Sequence, residues 1–130
     1  CDVFCSSWRF GKGESEEAWN YLSSLIDSDE EYRMRVSLVA RMSHFKDERH
    51  CGLLLEDIAT HDNPGYYYRM GAAWAVSVVY VHFPEMTEEL IRSNRMEAWT
   101  HNKSIQKIRE SRRVSKEKKD ELNALRRTVP

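Results

Sequence analysis

The chain has 130 residues, of which 41% are hydrophobic and 32% are charged, and its formal net charge is −1. This balance is typical of one soluble globular domain and argues against extended disorder. No run of 18 apolar residues occurs, so the sequence offers no candidate membrane span.

The charge is unevenly distributed along the chain. Residues 1–91 contain 8 Lys and Arg against 16 Asp and Glu, a net charge of −8, whereas residues 92–130 contain 12 against 5, a net charge of +7. A basic end of this kind attracts polyanions such as nucleic acids. The alternative is a solvated helix face that pairs with the acidic part of the chain.

The three cysteines, Cys1, Cys5 and Cys51, are an odd number. This argues against a disulfide framework and favours a reducing, cytoplasmic location. Their spacing relative to the histidines matches no familiar zinc site, so we expect no metal. The chain begins without a methionine or a secretory hydrophobic region, and we expect it to be a piece of a longer protein.

Hydrophobic spacing and capping residues predict helices along the whole chain. In chain order, the predicted helices span about residues 2–10, 14–27, 31–45, 48–61 and 66–83, then a short helix from 87, a helix from 94 or 95 to 112, and finally 115–127. Short loops between helices indicate antiparallel neighbours. The predicted fold is therefore all-α, an α-solenoid of HEAT-like antiparallel helix pairs.

Two of these helices open alike, with Tyr-Arg-Met-Arg-Val at 32–36 and Tyr-Tyr-Arg-Met-Gly at 67–71, and Arg35 and Arg69 are 34 residues apart. That spacing suggests stacked helix pairs. Arg35 falls on an apolar stripe of its helix, where a guanidinium needs a fixed partner, and Asp2 is a candidate. Such a pair either braces neighbouring repeats or faces an anionic ligand.

The predicted helix at 66–83 is apolar nearly all round after Arg69, as expected for a helix in the middle of a stack. Trp74 shares one stripe of this helix with Tyr67, Met70, Val78 and Val81. Trp74 is then either part of the core or an aromatic side chain that lines a cleft and receives a cationic or sugar-like group.

The predicted helix at 95–112 combines a narrow apolar stripe, formed by Trp99, Ile105 and Ile108, with a strongly positive face. The positive side chains in and just after this helix are Lys103, Lys107, Arg109, Arg112 and Arg113. This mixture would let the helix dock on its neighbours while it holds phosphates, although many basic helices are only solvated surfaces.

Three segments of the chain resemble the DNA alkylation repair (AlkD-like) glycosylase family. They are Cys-Asp-Val-Phe-Cys-Ser-Ser at 1–7, Tyr-Tyr-Tyr-Arg-Met-Gly-Ala-Ala-Trp-Ala at 66–75 and Asn-Lys-Ser-Ile-Gln-Lys-Ile-Arg-Glu-Ser at 102–111. The resemblance covers nearly the whole chain and corresponds to the C-terminal portion of that family's single HEAT-like domain, without its N-terminal helices. It implies an α-solenoid whose concave basic face embraces double-stranded DNA.

The resemblance also implies an activity and a site. The family hydrolyses the N-glycosidic bond of cationic N3- and N7-alkylpurines, and Asp2 matches its catalytic aspartate. Arg35 matches an arginine that organises the site and the DNA backbone, and Trp74 an aromatic side chain beside the lesion. The expected DNA-binding residues are Arg33, Arg69, Tyr67, Lys103, Lys107, Arg109, Arg112 and Arg113. We expect a monomer that uses no cofactor and does not bind a membrane.

These residue types suit the reaction. A cationic alkylpurine is already a good leaving group, so a carboxylate that stabilises the oxocarbenium-like sugar and activates water is sufficient. An aromatic wall attracts a cationic base by about 0.5–2 kcal/mol. Two other functions fit the same sequence: a HEAT-like module that binds DNA without catalysis, and a protein-interaction solenoid whose basic end binds an acidic partner.

Overall fold

The computed structural model describes residues 15–127, and within this range the chain is all-helical, without strands. The predicted all-α class is therefore confirmed. The helices are α1 (Ser15–Ser24), which continues into a 3-10 turn (Leu25–Asp27), α2 (Glu31–His44), α3 (Glu48–Thr60), α4 (Tyr66–His82), α5 (Pro84–Arg92), α6 (Ala98–Arg109) and α7 (Lys116–Asn123). The predicted helix at 2–10 and Asp2 lie outside the described residues.

Side-chain caps explain where several helices begin. The carboxylate of Asp47 accepts the backbone N–H of His50 at the start of α3, and Glu97 does the same for Thr100 at the start of α6. The hydroxyl of Ser115 caps α7. Each cap satisfies an N–H group that has no partner within the first turn of its helix.

Two predicted helix starts are wrong by a few residues. α5 begins at Pro84 and not at residue 87, because proline at the first helical position needs no N–H partner and has a helical φ angle. α6 begins at Ala98 and not at residue 94 or 95. Asn94 has a φ of 57°, a left-handed conformation that separates α5 from the cap of α6.

The helices pack in an alternating order in which α4 is central. It contacts α2 and α6, and we call these three helices the α2–α4–α6 layer. The first turns of α2 and α4 meet through Tyr32 and Tyr67, and those of α4 and α6 through Tyr66 and Trp99. The three helices therefore begin at the same edge of the layer. α1 and α3 pack on α2, α5 packs on α4 and α3, and α7 packs on α6.

The core lies where the α2–α4–α6 layer meets the other helices. Leu22, Leu38, Leu54, Val76 and Ile105 are each 0% exposed. Burial of such side chains contributes about 1.5–3 kcal/mol each and dominates the stability of the fold.

The thiol of Cys51 is also buried in this core, and burial raises its pKa to about 11. Because the thiolate is the reactive form, Cys51 acts as a packing residue. Its thiol lies 3.6 Å from the carbonyl oxygen of Phe45.

None of the helices between residues 15 and 127 has both the length and the apolarity that a membrane crossing requires.

Candidate nucleic-acid interface

One face of α4 stays partly open to solvent along the middle of the α2–α4–α6 layer. Its side chains are Tyr67, Met70, Trp74, Val78 and Val81, which follow one another at helical spacing, and we call them the α4 stripe. Each of the five is half-buried or exposed, whereas most other positions of α4 from residue 71 onward are buried. Trp74 packs partly against the core, so it lies at the edge of the core and not inside it.

Arg35 of α2 lies at the end of the α4 stripe where the helices begin. Its Nη1 donates a hydrogen bond of 2.8 Å to the carbonyl oxygen of Tyr67, and its guanidinium carbon is 4.1 Å from the centroid of the Tyr67 ring. The ring of Tyr32 stacks on that of Tyr67, with 6.3 Å between centroids and 7° between planes. Since Arg35 is only 7% exposed, it supports this aromatic pair from inside.

Gly71 gives the Arg35 side chain the space that it occupies. A Cβ atom at position 71 would lie 3.1 Å from both Cγ and Nη1 of Arg35, closer than ordinary van der Waals contact. Gly71 is one turn after Tyr67, on the side of α4 that faces α2. The glycine therefore lets the guanidinium pass under the α4 stripe.

Glu31 also links the N-terminal end of α2 to the N-terminal end of α4. Its carboxylate accepts the backbone N–H of Tyr68 at 3.0 Å, in the first turn of α4. Negative charge at a helix N-terminus is stabilising. The carboxylate also lies against Gly65, where any Cβ atom would overlap it. Two residues one helical turn apart, Glu31 and Arg35, thus set the position of the Tyr67 ring.

Lys107 and Arg113 lie at the opposite end of the α4 stripe. With Val78, Val81 and His82 they line an open groove of about 240 Å³. Within residues 15–127, neither cation forms an ion pair, so both are available to an anion in solution. The structure thus brings together two of the predicted DNA-binding residues at this end.

Two other predicted DNA-binding residues are engaged in ion pairs at the starts of helices. Arg69 donates to both carboxylate oxygens of Asp62, at 3.1 and 2.7 Å, and lies 3.6 Å from the carboxylate of Glu97. The hydrogen bonds that Arg69 donates to Asp62 raise the pKa of Arg69. Arg33 is exposed and pairs with Glu30 at 3.2 Å. Arg69 would have to leave these carboxylates to bind a phosphate.

The remaining predicted DNA-binding residues are spread over α6 and the turn after it. Lys103 donates to the side chain of Gln106, and Arg109 donates to Asn123, at 3.3 and 3.2 Å. Arg112 is exposed. Among the predicted catalytic residues, the structure places Arg35 and Trp74 along α4, whereas Asp2 lies outside the described residues.

The basic end of the chain is partly neutralised by the acidic part. Arg95 pairs with Glu56, and both Arg92 and Lys118 approach Glu88. Part of the positive charge is therefore used in surface pairing, the alternative that the composition left open.

Arg41, which was not among the predicted site residues, is the most deeply buried arginine or lysine between residues 15 and 127. Its side chain is 0% exposed and donates to Asp57 at 2.6 Å, to the hydroxyl of Ser23 at 3.2 Å and to the hydroxyl of Ser37 at 2.9 Å. Burial lowers the pKa of Arg41, and the hydrogen bond to Asp57 opposes this effect. The helical spacing of Leu38, Arg41 and Phe45 already placed Arg41 on the buried side of α2.

Across residues 15–127, no three His, Cys, Asp or Glu side chains come together as a possible metal site. Comparison with known proteins finds no significant match to a family model, a curated protein or a solved structure. The resemblance to the DNA alkylation repair family therefore stays a prediction that depends on the three segments quoted above.

Proposed function

We propose that this chain is the C-terminal part of a cytoplasmic DNA repair glycosylase that removes cationic N3- and N7-alkylpurines from duplex DNA, and that its helices form a HEAT-like α-solenoid. The observation that carries the proposal is the α4 stripe. It is a half-exposed aromatic and apolar face with an arginine-supported tyrosine pair at one end and, at the other, two cations that form no ion pair within residues 15–127.

The cationic end of the stripe suits the DNA backbone. Lys107 and Arg113 lie on the same groove, so both can contact phosphates of one strand, and such contacts position DNA without reading its sequence. Arg112, exposed beside Arg113, extends this positive surface. Phosphate contacts of this kind supply most of the affinity for DNA and make it depend on salt.

The aromatic part of the stripe suits a cationic base. Trp74 lies between the tyrosine pair and the cations, and its indole is partly exposed. The face of an indole or phenol ring attracts a positively charged base more strongly than a neutral one. In this proposal Trp74 contacts the alkylated base and Asp2 supplies the carboxylate that stabilises the sugar and activates water.

Arg35 has a positioning role in this proposal. Its guanidinium is buried beneath Tyr67 and bonded to the Tyr67 carbonyl, which leaves little of it open to a phosphate. Arg35 therefore holds the Tyr67 ring and the start of α4 where the DNA would pass, and it can orient a carboxylate that approaches from the same side.

The proposal is tested by measuring release of 7-methylguanine from methylated duplex DNA by the full-length protein. We expect Asp2→Asn and Trp74→Leu to lower the single-turnover rate at least about tenfold, since each removes an interaction with the charged sugar or base. Lys116→Gln, an exposed change at the start of α7, serves as the control and should keep the rate. No release by the wild-type protein, or equal release by Asp2→Asn, would refute the catalytic assignment.

A second candidate, a HEAT-like module that binds DNA without catalysis, is favoured by the burial of Arg35. The Arg35 guanidinium is 7% exposed and donates to the carbonyl oxygen of Tyr67. These contacts are explained equally well by a structural role between α2 and α4 and by a role in a catalytic site. The two candidates differ in the methylated-DNA assay: the binding module holds duplex DNA in a salt-dependent way and releases no base.

A further inference from the structure

A second open pocket lies on α6, and it shares no lining residue with the groove that contains Lys107 and Arg113. It has a volume of about 260 Å³ and is lined by Trp99, Asn102, Lys103, Gln106 and Arg126. The first four of these residues follow one another at intervals of one or three positions along one face of α6. The fifth comes from residues 124–127, the segment that follows α7, which we call the C-terminal segment.

Hydrogen bonds attach the C-terminal segment to α6. The ring of His101 and the carbonyl oxygen of Leu125 are 2.8 Å apart, and the side-chain amide of Asn102 makes two hydrogen bonds of 2.7 Å with the backbone of Arg127. Arg127 also donates to the carbonyl oxygen of Met96 at 2.6 Å. Arg126, which lies between Leu125 and Arg127, is therefore held at the rim of the pocket.

The pocket combines an aromatic platform with two cations. The indole of Trp99 is half-exposed, and Tyr66 meets it in a T-shaped contact with 5.8 Å between ring centroids, so the indole is braced without being covered by a stacked ring. Lys103 and Arg126 form no ion pair with any residue in the range 15–127. Gln106 adds a side-chain amide between Lys103 and Glu110.

We propose that this pocket binds one nucleotide unit, with the nucleobase on the face of Trp99 and the phosphate between Lys103 and Arg126. Stacking on an aromatic side chain beside cations is how proteins hold unpaired nucleotides without regard to sequence. The volume suits a single base and its phosphate, and a base inside a duplex cannot present its face to the indole. The pocket shares only Lys103 with the expected DNA-binding residues, so the proposal goes beyond the glycosylase function and does not depend on it.

The test measures binding of three probes at 50 mM salt: a fluorescein-labelled octathymidylate, thymidine monophosphate and a blunt duplex of eight base pairs. We expect the octathymidylate to bind, and Trp99→Leu to weaken it about tenfold or more, because base stacking is lost. Trp99→Phe should retain most of the affinity. Arg126→Gln should reduce the slope of log K against log salt by about 0.7, the value for one phosphate contact on a single strand.

Lys116→Gln is the charge-matched control, because Lys116 is exposed on α7 and does not line the pocket. The same losses with thymidine monophosphate would identify a free nucleotide as the ligand, and binding of the octathymidylate alone would identify an unpaired strand. Both results support the pocket. Affinities that are equal in wild type, Trp99→Leu and Arg126→Gln, with the fold intact by circular dichroism, would overturn it even if the protein releases 7-methylguanine from duplex DNA.

Discussion

Arg41 connects three helices through one guanidinium. It donates to Ser23 at the end of α1, to Ser37 of its own helix α2 and to Asp57 of α3, and its guanidinium carbon lies 4.9 Å from the centroid of the Trp19 ring. A buried charge of this kind is costly unless all its donors are used. Here the two serine hydroxyls, the carbonyl oxygen of Ser37 and the Asp57 carboxylate accept hydrogen bonds from all three guanidinium nitrogens, so the network favours one arrangement of α1, α2 and α3.

Loss of this guanidinium should destabilise the fold strongly. We expect Arg41→Met to lower the free energy of unfolding by about 3 kcal/mol, because it leaves the Asp57 carboxylate without its partner. Urea denaturation measures this change. The double variant Arg41→Met/Asp57→Asn should recover part of the loss, since the uncompensated carboxylate is then removed. A loss below about 1 kcal/mol for Arg41→Met would show that the network contributes little.

For single residues, the spacing of apolar positions along a helix could predict which side of the helix a side chain occupies. It could not predict the hydrogen-bond or ion-pair partner of that side chain. The spacing of α2 predicted that Arg35 turns towards the interior, and the structure shows it 7% exposed. The pairing of Arg69 with both Asp62 and Glu97 could not be predicted, because it depends on how the loop before α4 and the start of α6 come together.

Among the helices, α6 and the C-terminal segment are joined by His101. Its ring is 0% exposed and lies 2.8 Å from the carbonyl oxygen of Leu125, so Nε2 carries the proton of the neutral ring. Burial lowers the pKa of His101, the hydrogen bond to Leu125 opposes this, and the charge of Arg127 lowers the pKa further. The folded protein therefore keeps His101 neutral at pH values where the unfolded chain protonates it.

Stability should fall as pH drops below about 6.5, the ordinary pKa of histidine, because the unfolded chain then binds more protons than the folded chain. His101 can contribute at most about 1.4 kcal/mol per pH unit. His101→Gln keeps a donor for Leu125 and removes the titration. Urea midpoints at pH 7 and pH 5.5 should differ more for wild type than for His101→Gln. An equal or smaller difference in wild type would contradict this assignment.

Helix existence was easier to predict than helix boundaries. The apolar spacing in α2, α3 and α4 agrees with the observed spans to within a residue or two at each end. The starts of α5 and α6 were misplaced for two different local reasons. Pro84 ends α4 and also begins α5, and Asn94 adopts a left-handed conformation in the turn between α5 and α6.

For the whole molecule, the central position of α4 determines what the surface can do. α4 contacts both α2 and α6, and its half-exposed stripe runs from the Tyr32–Tyr67 pair to the Lys107 and Arg113 groove. The sequence predicted the residues of this stripe from helical spacing. It could not predict that Lys107 and Arg113 meet at one end of the stripe, because they approach α4 only through the packing of α6.

The central claim is that this open face binds duplex DNA through its cationic end. The most direct measurement is the slope of log K against log salt for a 12-base-pair duplex, between 50 and 200 mM salt. We expect Lys107→Gln/Arg113→Gln to make the slope about 1.8 units shallower than wild type, since each phosphate contact on B-DNA contributes about 0.9. The matched control Lys116→Gln/Lys119→Gln should keep the wild-type slope. A slope near zero for wild type, or equal slopes for wild type and Lys107→Gln/Arg113→Gln, would contradict the claim.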